Sequence, residues 1–197
     1  MEKIPICEGI WYIPGSSDPL SAEIGMLQDG ETAWLYDVGC DERAIPKLPD
    51  GCRVVLSHFH PDHTGNLGKI RARELYVSAE TKRHVHAGTV VESDTRVGEL
   101  RIFPLPSSHC KGCLGLEVRE SYAFVGDALY CRTRGDFFVF NVQLLQQEIA
   151  VLKQLKAPYL LVSHYKGLVR RTDAVIAELE EIYSLRKKNS TEILIAR

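Results

Sequence analysis

Apolar positions along this chain come in short runs, and most of the runs stop at an aspartate or a histidine. Ala33-Trp34-Leu35-Tyr36 stops at Asp37, and Arg53-Val54-Val55-Leu56-Ser57 stops at His58. Leu100 to Leu105 leads to His109, Tyr122-Ala123-Phe124-Val125-Gly126 to Asp127, and Tyr159-Leu160-Leu161-Val162-Ser163 to His164. Runs of four to six apolar, β-branched and aromatic residues predict buried strands. Strands that deliver polar residues from their carboxyl ends are the layout of a composite site in an α/β protein. Helical periodicity appears between them. Asn141 is placed to cap a helix from Val142 to Lys156 with Leu145, Ile149, Leu152 and Leu155 on one face. Thr172 or Asp173 starts another running to about Lys187, with Val175, Ile176, Leu179 and Ile182 inward. Ser78 to His86 reads as a shorter helix, on which His84 and His86 fall on different faces and are expected in solvent. Lys69, Arg71 and Arg73 read as an exposed face, and Ile193-Leu194-Ile195 as a last short strand.

The stretch Ser57-His58-Phe59-His60-Pro61-Asp62-His63-Thr64-Gly65 carries four side chains able to bind a divalent cation. His58 and His60, two apart on extended chain, point to one side. Pro61 breaks that pattern, so Asp62 and His63 can turn toward a second centre. Imidazole and carboxylate together suit zinc, iron or manganese. The spacing therefore reads as two metal half-sites, completed by the later strand ends.

The order His-x-His-x-Asp-His, a later His, a later Asp and a final His resembles the metallo-β-lactamase superfamily, over Asp37 to His164. The resemblance implies that His58, His60 and His109 hold a first metal, that Asp62, His63 and His164 hold a second, and that Asp127 bridges them. It also implies a four-layer αβ/βα sandwich, two sheets face to face with helices outside, whose halves divide near Val97 to Leu100. Asp37 is better read as support for a ligand than as a ligand. The function implied is hydrolysis by a hydroxide shared between two divalent ions, zinc first and iron or manganese next, with Asp62 also orienting the attacking oxygen. Such a site needs no serine or cysteine nucleophile.

Composition narrows the remaining choices. A chain of 197 residues, 45% hydrophobic and 25% charged with net charge −2, fits one globular domain of residues 1–197 and gives no pull toward nucleic acid or a membrane. The amino terminus lacks a charged-then-apolar leader, so a cytoplasmic protein acting on a small molecule is expected, its oligomeric state left open. Six scattered cysteines suggest neither a disulfide framework nor a zinc ribbon. Cys110-Lys111-Gly112-Cys113, a C-x-x-C beside His109, stands where superfamily members carry a small-hydroxyl turn and reads as free packing thiols, with a redox role as the alternative.

Within the superfamily, glutamate in place of His60 would mark the flavin-linked di-iron members, and cysteine in place of Asp127 together with a leader the secreted zinc β-lactamases. Glyoxalase II adds a helical carboxyl-terminal domain longer than the segment after His164. A small ester-type substrate, thioester or lactone, is the expectation. A mononuclear iron sulfur dioxygenase of the persulfide type is the alternative on the same ligands. Two loops would line the pocket, Pro14 to Leu20 and Cys131 to Asp136, with Arg132, Arg134 and Tyr165 as substrate-binding candidates.

Overall fold

Alternate residues of the same strands enter different hydrophobic clusters, and this alternation builds the layers. In the computed structural model, which describes residues 1–197, Trp34 and Tyr36 face a cluster with Leu100, Ile102, Leu116 and Phe124, whereas Leu35 between them faces a cluster with Val54, Leu56 and Ala44. Likewise Phe124 and Leu161 join Trp34 and Tyr36, whereas Ala123, Val125, Leu160 and Val162 turn to Leu145, Ile149, Val175 and Leu179 of two helices. The central cluster therefore lies between two sheets, and each outer cluster lies between a sheet and its helices. That is the four-layer α/β sandwich expected from the sequence.

The first sheet has seven strands in the order Ile4–Cys7, Ile10–Ile13, Ile24–Asp29, Thr32–Tyr36, Cys52–Val55, Ala72–Val77 and Thr89–Val90. The second runs Thr95–Val97, Leu100–Leu105, Cys113–Val118, Tyr122–Gly126, Tyr159–Val162 and Val169–Arg171. The halves thus divide between Val90 and Thr95, slightly before the expected Val97 to Leu100. A small third sheet joins Arg132–Arg134, Phe137–Asn141 and the final strand Glu192–Ala196. No helix is long and apolar enough to cross a membrane.

Two parallel pairings place the site. Thr32–Tyr36 runs parallel to Cys52–Val55, with Tyr36 opposite Val55, and Tyr122–Gly126 runs parallel to Tyr159–Val162, with Gly126 opposite Val162. Parallel strands end side by side, so Asp37, Ser57-His58, Asp127 and His164 emerge together at one edge.

Helix ends differ from expectation for local reasons. Asn141 does cap its helix, accepting from the Leu144 N–H at 2.9 Å, but the helix is Val142–Leu152 and not Val142 to Lys156. The N–H groups of Lys156 and Ala157 donate instead to the Glu117 carboxylate at 2.7 and 3.0 Å, and Pro158 disfavours helical backbone at Ala157. The next helix, Thr172–Ser184, starts at Thr172 as expected, with Arg171 at the cap position making no side-chain cap bond and the Thr172 hydroxyl donating to the Ala157 carbonyl at 2.7 Å. It stops short of Lys187. Ala79–Val85 is the short helix predicted, with Ser78 as its amino-terminal cap and His86 closing it at φ 56°. His84 and His86 are exposed as expected, and His84 also stacks on Phe59 with ring centroids 4.1 Å apart, beside the segment that carries His58 and His60.

Candidate metal centre

Local chemistry fixes the segment after Cys52–Val55. Pro61 takes the first position of a one-turn helix, Pro61–Thr64, where its missing N–H costs nothing, and His60 stands just before it. The turn swings Asp62 and His63 away from the extended direction of His58 and His60, as the sequence implied. His58 and His60 still meet, ring centroids 4.5 Å apart, and His60 Nδ1 lies 3.1 Å from His109 Nε2.

Asp37 and Ser57 orient the buried rings. The Ser57 N–H donates to Asp37 Oδ1 at 2.7 Å, and the Ser57 hydroxyl donates to Asp37 Oδ2 at 2.7 Å. His63 Nδ1 donates to the same Oδ2 at 2.7 Å, and His58 Nδ1 donates to Ser57 Oγ at 2.9 Å. With both Nδ1 atoms so engaged, each ring presents the lone pair of Nε2 to the interior. Asp37 is held at φ 60° to make these contacts. Opposite it, Gly126 adopts φ +55°, and a Cβ there would come within 2.7 Å of Ser57 Cβ, so only glycine lets the strand deliver Asp127.

The expected ligands converge into two groups: His58, His60, His109 with Cys110, and Asp62, His63, Asp127 with His164, each with donor atoms within 4.8 Å of one another. Asp127 Oδ2 lies between them, 3.4 Å from His63 Nε2, 3.5 Å from His109 Nε2 and 3.8 Å from His164 Nε2. His164 Nε2 approaches Asp62 Oδ2 at 3.1 Å. His58 Nε2, His63 Nε2 and Asp127 Oδ1 are all buried without a hydrogen-bond partner. Three orphaned polar atoms aimed into one space are costly unless a cation meets them, so these residues fit the metal that the ligand pattern implies.

Protonation differs between the rings. Burial and then the neighbouring His63 hold His58 well below the ordinary histidine value, keeping the ring neutral as a ligand must be. Burial opposes charge on His63, but the Asp37 carboxylate wins and raises it. The hydrogen bond to Asp62 raises His164, so a cation would have to displace a proton from each of these two rings. Tyr130, which donates to the Ser163 carbonyl at 2.7 Å, is pushed up by burial to about 12 and stays a phenol.

An apolar cavity of about 540 Å³ opens on His109, Asp127 and His164, walled by Leu129, Tyr130, Phe138, Phe140, Ile182 and Ile195. Of the substrate-binding candidates, Arg134 pairs with Glu192 at 2.8 Å and does not line this cavity. The third sheet makes that pair, since Arg134 and Glu192 sit on strands flanking Phe137–Asn141. Arg132 reaches a separate cavity of about 410 Å³ beside His109 and Cys110. Tyr165 lines a third, with Pro14, Gly15, Glu23 and His164, and Arg170 lies over its ring. Cys110 packs against the core cluster of the second half and Cys113 lies within it at 2% exposure, as expected of packing thiols, while the Cys110 sulfur also lies within 4.8 Å of donor nitrogens of His58, His60 and His109. All six cysteines are free thiols.

Glu23 went unnoticed in the sequence. Its carboxylate accepts the His164 N–H at 2.8 Å and so fixes the last donor, which sits at φ 59°. No local signal marks a partner 141 positions away. Tyr130 was missed likewise, as an aromatic after Asp127 resembles any core residue.

The sequence model of the metallo-β-lactamase superfamily matches residues 18–97. No curated protein sequence matches the chain. Among solved structures, the metallo-β-lactamase FIM-1 from Pseudomonas aeruginosa in its mono-zinc form is similar with TM-score 0.69 at 16% identity, over 94% of this chain and 96% of that one. An archaeal metallo-β-lactamase superfamily protein, ST1585 from Sulfolobus tokodaii, gives TM-score 0.61 at 17% identity, over 93% and 90%. MIM-1, a metallo-β-lactamase from Novosphingobium pentaromativorans, gives 0.66 at 15% identity, over 92% and 88%. At these identities the likeness is one of fold.

Proposed function

We propose that the chain is a metal-dependent hydrolase of the metallo-β-lactamase superfamily and works with two divalent ions, zinc foremost, on a small ester-type substrate with an apolar acyl group, a thioester or a lactone. The observation that carries the proposal is the position of Asp127. Its carboxylate stands between the two donor groups and at the mouth of the apolar cavity. His58, His60 and His109 would hold one ion, and Asp62, His63 and His164 the other. When bound, the ions supply an activated water and polarise the scissile carbonyl.

The rest is the work of side chains. Asp62, close to His164 Nε2 and only partly buried, is placed to accept a hydrogen bond from the attacking water and hold its direction. Leu129, Phe138, Phe140 and Ile195 bind the acyl group by burying it and exclude bulk water from the reacting carbon. Tyr130, kept protonated but engaged with Ser163, shapes the wall and leaves proton transfer to others.

The test is hydrolysis by zinc-loaded protein of thioesters and lactones with lengthening acyl chains. Specificity, as kcat/KM, is expected to rise with chain length until the cavity is filled. Absence of turnover across esters, thioesters, lactones and phosphodiesters would overturn the proposal.

A further inference from the structure

The two donor groups are unequal in charge. Besides Asp127, which lies between the two groups, the second group has a carboxylate of its own in Asp62, whereas His58, His60 and His109 offer the first only imidazole nitrogens. A dication there gains less offset for its lost hydration than one in the second group. The missing negative charge is at hand. Cys110 Sγ lies within 4.8 Å of a ligating nitrogen of each of those three histidines, and His58 Nε2 points into the same space without a partner. We propose that Cys110 is a thiolate ligand of the first ion, making that half-site three histidines and one sulfur beside the shared Asp127. The proposal rests on the reading of the histidine cluster as a metal centre and adds to it a ligand and a metal preference.

The turn is built to hold the sulfur there. Gly112 sits at φ +78°, and a Cβ on it would come 2.7 Å from Ser78 Oγ and 2.8 Å from Glu80 Cβ, so the turn is pressed against the short helix as only glycine allows. The His109 N–H donates to Ser107 Oγ at 3.0 Å, whose hydroxyl donates to the Ala128 carbonyl, which ties the loop to the strand end bearing Asp127. Cys113 Sγ stands 3.5 Å from Cys110 Sγ, where its S–H can donate to a thiolate. A soft sulfur among imidazoles favours zinc or cobalt over manganese or magnesium.

Cobalt(II) is the probe, added stepwise to the reduced, metal-free protein. Thiolate ligation gives an intense near-ultraviolet sulfur-to-cobalt charge-transfer band in addition to the weak visible bands of bound cobalt. The band is expected to grow with the first equivalent in the unaltered chain and in Cys113→Ser, and to be absent in Cys110→Ser, which should bind that equivalent at least about tenfold more weakly. Visible bands without the charge-transfer band in the unaltered chain would overturn the ligand while leaving the metal centre standing. A band that survives in Cys110→Ser would assign it to another cysteine and overturn the proposal. No cobalt uptake would overturn the metal centre itself and this ligand with it.

Discussion

Asp37 Oδ2 accepts a hydrogen bond from His63 Nδ1 at 2.7 Å, and both side chains are fully shielded from solvent. The contact selects the tautomer that leaves His63 Nε2 for a cation. Asp37→Asn keeps the size but removes the charge that makes the imidazole a stronger ligand. It is expected to weaken the second half-site about 10- to 100-fold, read by competition with a chromophoric chelator. An unchanged affinity would show that Asp37 serves only the fold.

Asp127 and His164 should differ in kind. Because Asp127 Oδ2 approaches donors of both groups, Asp127→Asn is expected to weaken both sites together, whereas His164→Ala should deplete mainly the second. Each should lower kcat by at least about 100-fold with the far-ultraviolet circular dichroism unchanged, since the core clusters do not contain them. Two tightly held metals and near-normal turnover in Asp127→Asn would remove it from the bridge.

Phe138 belongs to the third sheet and is 39% exposed, so Phe138→Ala should fold. Losing that face of the cavity is expected to raise KM about tenfold, ~1.4 kcal/mol, for long-chain acyl substrates and to leave short-chain ones unaffected. Equal effects on long and short chains would place the acyl group elsewhere.

Glu148 gives a test of stability separate from the metals. It is 1% exposed, neither carboxylate oxygen has a partner, and burial pushes it well above the usual carboxylate value. A group raised in the folded state stabilises fully below its unfolded value, about 4.3, and that stability is lost as the pH rises toward the folded value. Glu148→Gln should therefore match the unaltered protein near pH 4 and exceed it in Tm increasingly toward pH 8. A gap independent of pH would mean that Glu148 is ionised or partnered in the fold.

Much of this arrangement was legible because strand ends carry chemical labels. Leu100–Leu105 and Tyr122–Gly126 fall where their apolar runs fall, and the residues that end them stand in the site. Pro61 announced the turn that separates the two ligand pairs. What the sequence hid depends on contacts between distant segments. The pull of Glu117 on Lys156 and Ala157 shortens a helix whose periodicity runs on, and the pairing of Phe137–Asn141 with Glu192–Ala196 brings Glu192 to Arg134. Cys110 does pack against the core, and its nearness to the histidine nitrogens depends on a turn whose course composition does not give.

Two ions per chain is the central claim, and metal stoichiometry measures it directly. Protein stripped by a chelator, returned to excess zinc, manganese or iron and freed of unbound metal should carry two ions per chain by elemental analysis, with activity appearing only as the second binds. Saturation at one ion with every metal, or full activity on a single iron, would contradict it.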